Sequence, residues 1–220
     1  MLSLTRPLVP DRRPSRAMVS LVLTLFVFAA SLISLTSGAA GLGLTDLLAA
    51  FLGEGLSPRD QVVLYDIRLP RLALGLAVGA ALAVCGTLLQ GLFRNPLADP
   101  GIVGVSAGAG LGAVLAIVLG GLLPIGIASG LGPSLVSLAA GFGGWIATLL
   151  LYRIATSGKR TDVALMLLAG IALSALAGAA TGVLTYVADD RQLRDLTFWS
   201  MGSLAGATWK KLVVTLQLIG

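Results

Sequence analysis

Histidine is absent from this chain of 220 residues, cysteine occurs once, and charged residues make up only 11%. Each scarcity closes a class of function. Without histidine there is no zinc site of the usual kind and no imidazole ligand for a heme iron. Cys85 has no second thiol to pair with, so there is no disulfide framework, and its apolar neighbours suit a small packing residue. So few charges cannot clothe a soluble domain of this length. With 56% hydrophobic residues and a mean hydropathy of +0.96, the chain reads as an integral membrane protein. Acids and bases are also missing from the middle of every long apolar run, which leaves no proton or sodium relay in view. The net charge of +5 does not argue for nucleic acid, because the excess sits in short segments that fit cytoplasmic loops. Lipid, not nucleic acid, is the expected surround.

A nucleotide site is missing too. Residues 157–161, Ser-Gly-Lys-Arg-Thr, mimic part of a phosphate loop, but Arg153 stands where the first glycine is needed and Arg160 where Ser or Thr is required. The glycine clusters at 38–43 and 104–112 follow no strand. The chain is therefore expected to be no enzyme, and to bind neither metal nor cofactor.

What is present is a succession of apolar runs. Residues 1–16 carry Arg6, Arg12, Arg13 and Arg16 against Asp11 alone, a basic tail that puts the N-terminus in the cytoplasm. At about 20 residues per crossing, spans are expected at 17–36, 70–92, 101–123, 134–154 and 163–187, with a sixth starting at 212. A cleaved signal peptide competes for the first, since small residues follow it, but the run is long for that and a retained span is preferred. Pro70 suits a first helical position and starts the second span, Arg94 closes it, and Asp99 with Pro100 caps the third. Residues 45–52 make a short amphipathic piece with Thr45 as its cap, and 197–206 a surface helix anchored by Phe198 and Trp199. Small residues recur at helical contact spacing: Gly75 and Gly79; Gly104, Gly108 and Gly112; Gly170, Ser174, Gly178 and Gly182. The fold class is all-α, a polytopic membrane helix bundle.

Two arginines stand out. Arg68 and Arg71 flank the expected start of the second span, the helix end where a cation is disfavoured, so something anionic should offset them. The plainer reading makes them interfacial anchors with Asp66 as salt partner.

RLPR at 68–71, followed by GTLLQGLFRNPLADPGIVGVSAGAG at 86–110, resembles the FecCD-type permease subunits of binding-protein-dependent ABC importers for iron-siderophores, heme and vitamin B12. A second block at 167–211, LLAGIALSALAGAATGVLTYVADDRQLRDLTFWSMGSLAGATWKK, resembles the same family, most closely its heme importers. The resemblance implies a permease moving an iron chelate, heme first, across the inner membrane. It implies a homodimer of permeases, two ATPase subunits that hold ATP and magnesium, and a periplasmic or lipoprotein substrate-binding protein. By the same resemblance Arg68 and Arg71 dock acidic residues of the binding protein, and Ser174, Thr181, Thr185 and Tyr186 line the translocation path. Those hydroxyls equally suit hydrogen bonds between helices. Gln90, Asn95 and Pro96 match the family motif, with a structural role in ending the second span, and Gly104 and Gly108 belong to the same motif. Val163 and Ala164 stand at the inner-gate position. Residues 212–220 are too short to cross a bilayer, so the chain reads as the N-terminal part of a permease of about ten spans, and alone it is not expected to couple to ATP hydrolysis. The rivals are a siderophore or B12 permease of the same family, and a truncated membrane fragment that transports nothing.

Overall fold

The computed structural model describes residues 15–38, 41–53, 55–124, 130–157 and 160–219. The basic tail up to residue 14 and Lys159 lie outside them. Five of the described helices are long and apolar enough to cross a membrane. The chain divides into two compact units, residues 1–75 with 207–220, and residues 76–206.

In the first unit, α1 (Arg16–Thr36) opens on Ser15, whose hydroxyl accepts the Met18 amide at 3.2 Å. Its apolar side chains point outward on all sides; Phe26 is 70% exposed, as a lipid-facing residue should be. The short α2 (Leu44–Leu52) is capped by Gly43, whose amide donates to Asp46 Oδ2 at 2.7 Å, rather than by Thr45. Gly53, left-handed at φ 77°, ends it.

The helix that carries the second span does not begin at Pro70, where the proline places its expected start. The helix α3 begins at Pro58 and runs unbroken to Phe93. Ser57 caps it, with Oγ accepting the Asp60 amide at 3.2 Å, and Pro58 fills the first position. Pro70 is carried inside the helix by a π-helical stretch, Val62–Arg68, in which Leu69 N–H donates to the carbonyl of Leu64, five residues back. The wider turn eases the clash a proline ring makes with the carbonyl four residues earlier. In that register the missing Pro70 N–H would have served the Tyr65 carbonyl. The indole of Trp209, at the start of α8 (Trp209–Ile219), donates to that oxygen instead, at 2.8 Å.

The second unit contains the rest of α3 and the densest packing. α3 ends with Asn95 N–H on the Gln90 carbonyl and Arg94 N–H on that of Gly91, the paired bonds of a Schellman closure, with Arg94 left-handed at φ 48°. Asn95 Oδ1 then accepts the Leu97 amide at 2.9 Å. Asp99 caps as expected, accepting the Gly101 amide, but it opens a 3₁₀ turn, Pro100–Val103, and only after left-handed Gly104 does α4 (Val105–Leu119) begin. α5 (Leu135–Ala155) returns against α4. A small hairpin follows, β1 (Thr156–Ser157) with β2 (Arg160–Thr161), and Asp162 caps α6 (Val163–Val187) through the Ala164 and Leu165 amides.

Gly108 and Gly143 hold α4 and α5 together. A methyl group on Gly108 would stand 2.5 Å from Ala147 Cβ and 2.7 Å from the Gly143 carbonyl, and one on Gly112 would run into the Ala139 carbonyl. Only hydrogen at these positions lets the backbones approach so closely. Val103, Leu151 and Ala169 form the buried apolar centre nearby. The last helix before the connection to α8 is α7, Asp190–Met201. It starts seven residues before the surface helix expected at 197–206, and it takes in most of what reads as a loop.

Candidate functional site

A groove of about 400 Å³ opens between α4, α6 and α7. α4 contributes Ala107, Gly110, Leu111 and Val114 as an apolar wall, smooth because two of the four lack any side chain beyond a methyl. α6 contributes Ser174, Gly178, Thr181 and Thr185, which repeat at three- and four-residue intervals and so share one face. α7 supplies Thr197, Trp199 and Ser200. The groove is thus apolar on one side and carries hydroxyls on the other two.

These hydroxyls are largely spent as donors on their own helices. Ser174 Oγ donates to the Gly170 carbonyl, Thr185 Oγ1 to Thr181, and Ser200 Oγ to Thr197, each at 2.8 Å. Their lone pairs remain, so these walls offer hydrogen-bond acceptors to the groove and hold no fixed charge. Such a surface can hold water but has no charge with which to grip a ligand. Three of the four residues expected on the path, Ser174, Thr181 and Thr185, meet here. Tyr186 does not line the groove and is 90% exposed. Thr197, Trp199 and Ser200 are additions. The pattern Asp189-x-x-Gln192, a capping-box signature, marks the start of the helix that delivers them.

The motif residues Gly104 and Gly108 serve packing. A methyl on Gly104 would stand 2.8 Å from the Gly170 carbonyl and 3.2 Å from Ser174 Oγ, so Gly104 lets the start of α4 sit against α6 at the head of the groove. Gln90 contributes its backbone carbonyl to the end of α3 while its side chain is exposed; Asn95 and Pro96 form the turn after it.

In the first unit, the structure separates the two arginines. Neither flanks a helix start, since α3 begins at Pro58, so the dipole argument for an anionic partner does not hold. Arg68 is 8% exposed, and its guanidinium Nη1 donates to the carbonyl of Leu35 in the last turn of α1. A cation is favoured there by the helix dipole and satisfies a carbonyl that has no partner inside its own helix. Gly38, at φ 144°, makes room: a methyl on it would stand 3.1 Å from Arg68 Nη2. Arg71, one turn on, is exposed.

The family model described as the FecCD transport family matches residues 23–220, nearly the whole chain. The chain belongs to the FecCD transport family. The hemin transport system permease protein HmuU of Yersinia pestis is 45% identical over 193 residues, which are 86% of this chain and 55% of the relative. The cobalamin import system permease protein BtuC of Halobacterium salinarum is 44% identical over 176 residues, 80% of this chain and 45% of the relative. The vitamin B12 import system permease protein BtuC of Klebsiella pneumoniae is 40% identical over 168 residues, 76% and 48% of the two chains. Among solved structures, a metal-chelate type ABC transporter in an inward-facing conformation superposes with a TM-score of 0.71 at 31% identity, covering 90% of this chain and 57% of that one. The chain spans about half the length of the curated relatives it matches. A multi-pass membrane protein of a transport family, built of helices, is what both the fold and the family describe.

Proposed function

We propose that the chain is part of a permease subunit of an ABC importer that moves an iron chelate, heme first, across the inner membrane with its N-terminus in the cytoplasm. The carrying observation is the groove: hydroxyls from α6 and α7 face an apolar wall of α4, with no fixed charge among the lining residues. A broad, largely apolar chelate passes such walls without being trapped. The hemin permease and a cobalamin permease are almost equally similar, at 45% and 44% identity, and the choice of heme rests on the resemblance of the 167–211 block to heme importers. Energy comes from two ATPase subunits that hold ATP and magnesium, and a second permease copy completes the path.

Arg68 and Arg71 are the docking points for the binding protein; Arg71 is exposed, and Arg68 gives up the Leu35 carbonyl to take part. A rim contact of this kind governs encounter rate and orientation more than affinity.

The test is ATP-dependent uptake by the complete permease, reconstituted with its ATPase and binding protein. Heme uptake with no uptake of cobalamin or ferric siderophore is the expected result. Cobalamin or siderophore uptake would move the reading to its sister importers. No uptake of any of the three would favour a membrane protein without a transport role.

A further inference from the structure

One side chain fixes the third wall of the groove. Gln192 sits in the first turn of α7 and uses both ends of its amide. Its Oε1 accepts the Asp189 N–H at 3.0 Å, while its own backbone N–H donates to Asp189 Oδ1 at 2.8 Å, a reciprocal cap that starts the helix. Its Nε2 donates to the Val118 carbonyl at 3.1 Å. Val118 is in the last α-helical turn of α4, just before the 3₁₀ turn Gly120–Leu122 that extends it. Gln192 therefore starts one helix and closes another with a single side chain.

Position gives this bond its consequence. Leu196 and Trp199 follow Gln192 at four and seven residues, so they lie in one row on α7, and both line the groove. At the far end α7 stops at Gly202, whose φ of 70° turns the chain out of the helix while its amide donates to the Trp199 carbonyl. The opposite face, with Phe198 at 69% and Met201 at 76%, is exposed. The seat of Gln192 on α4 thus sets where the row of Leu196 and Trp199 stands across from Leu111 and Val114.

We propose that Gln192 is a positioning residue that sets the width of the groove by anchoring α7 to the end of α4. Replacing it with Glu separates its two duties. A carboxylate still accepts the Asp189 amide and keeps the cap, but it has nothing to donate to Val118, and two acceptors then face each other.

The experiment uses the complete permease in lipid nanodiscs, with Cys85 replaced by Ala and nitroxide labels on the exposed positions Leu119 and Phe198. Wild type should give one narrow distance, and Gln192→Glu should broaden it about twofold, since a segment loses definition when its tertiary anchor goes. Hydrogen exchange along α7 should stay slow in this variant. Asp189→Ala, which weakens the cap and spares the anchor, should speed exchange in the first turn and leave the distance in place. An unchanged distance in Gln192→Glu, with α7 intact, overturns the proposal. A second readout rests on the groove being the translocation path: the ratio of heme to cobalamin uptake should shift about threefold in Gln192→Glu and not in Asp189→Ala, within the few-fold range that small changes in pocket fit produce. A changed distance with an unchanged ratio would leave the anchor standing and count against the path.

Discussion

Arg94 ends α3 in a left-handed conformation, at φ 48°, that an arginine adopts at some cost. The penalty for a residue with a Cβ there is about 1 kcal/mol or more, and glycine is the usual occupant of this position. Arg94→Gly should therefore raise the thermal midpoint of the detergent-solubilised protein, and a lower midpoint would mean that the arginine side chain matters more than its backbone. The sequence places Arg94 at a helix end by its charge; nothing in that charge tells of the backbone conformation, which depends on where the chain goes next. Arg68 teaches the same lesson. Its number in the RLPR motif is legible, but its partner, the Leu35 carbonyl, lies 33 residues away and belongs to another helix. Arg68→Gln should cost about 1.5–3 kcal/mol, the range for a hydrogen bond with a charged donor, and should speed amide exchange in the last turn of α1. Arg71→Gln should leave that exchange alone, and lower the rate of binding-protein association in a salt-dependent way.

At the scale of elements, helix existence was legible and helix starts were less so. The run 163–187 is bounded by Asp162 and by polar residues, and α6 has those bounds. The start of α3 is hard to read because Pro70 looks like a helix opener, while the true opening signal, Ser57-Pro58 with Asp60 in the first turn, stands earlier in a stretch of mixed charge. No local pattern announces that a π-helical stretch will carry a proline through. That solution needs a donor from elsewhere, and Trp209 provides it across 144 residues. A double-mutant cycle follows. Trp209→Phe should lose about 1 kcal/mol, the net worth of a typical hydrogen bond, and should lose little in a Pro70→Ala background, where residue 70 regains an N–H. Additive effects in unfolding experiments would show that the indole and the proline are unrelated.

For the whole molecule, the glycine spacing was legible as close packing, but which ridges meet was not. Gly108, Gly112 and Gly143 meet across α4 and α5, whereas a methyl on Gly79, Gly178 or Gly182 touches nothing within 4 Å. Gly108→Ala should destabilise the protein by about 1–3 kcal/mol through overpacking. Gly141→Ala, on the same pair of helices but with open space before it, should not. Thermal unfolding of the two variants side by side distinguishes a tight seam from general sensitivity to glycine replacement. The groove was legible in its α6 face, where hydroxyls repeat at helical spacing, and hidden in its α7 face, where charge disguised a helix as a loop. The seam between α4 and α5 also bears on how anything in this unit moves. Two backbones with only hydrogens between them have no slack: they have no room to roll or slip past each other without collision, so a cycle of opening and closing must swing them as one beam.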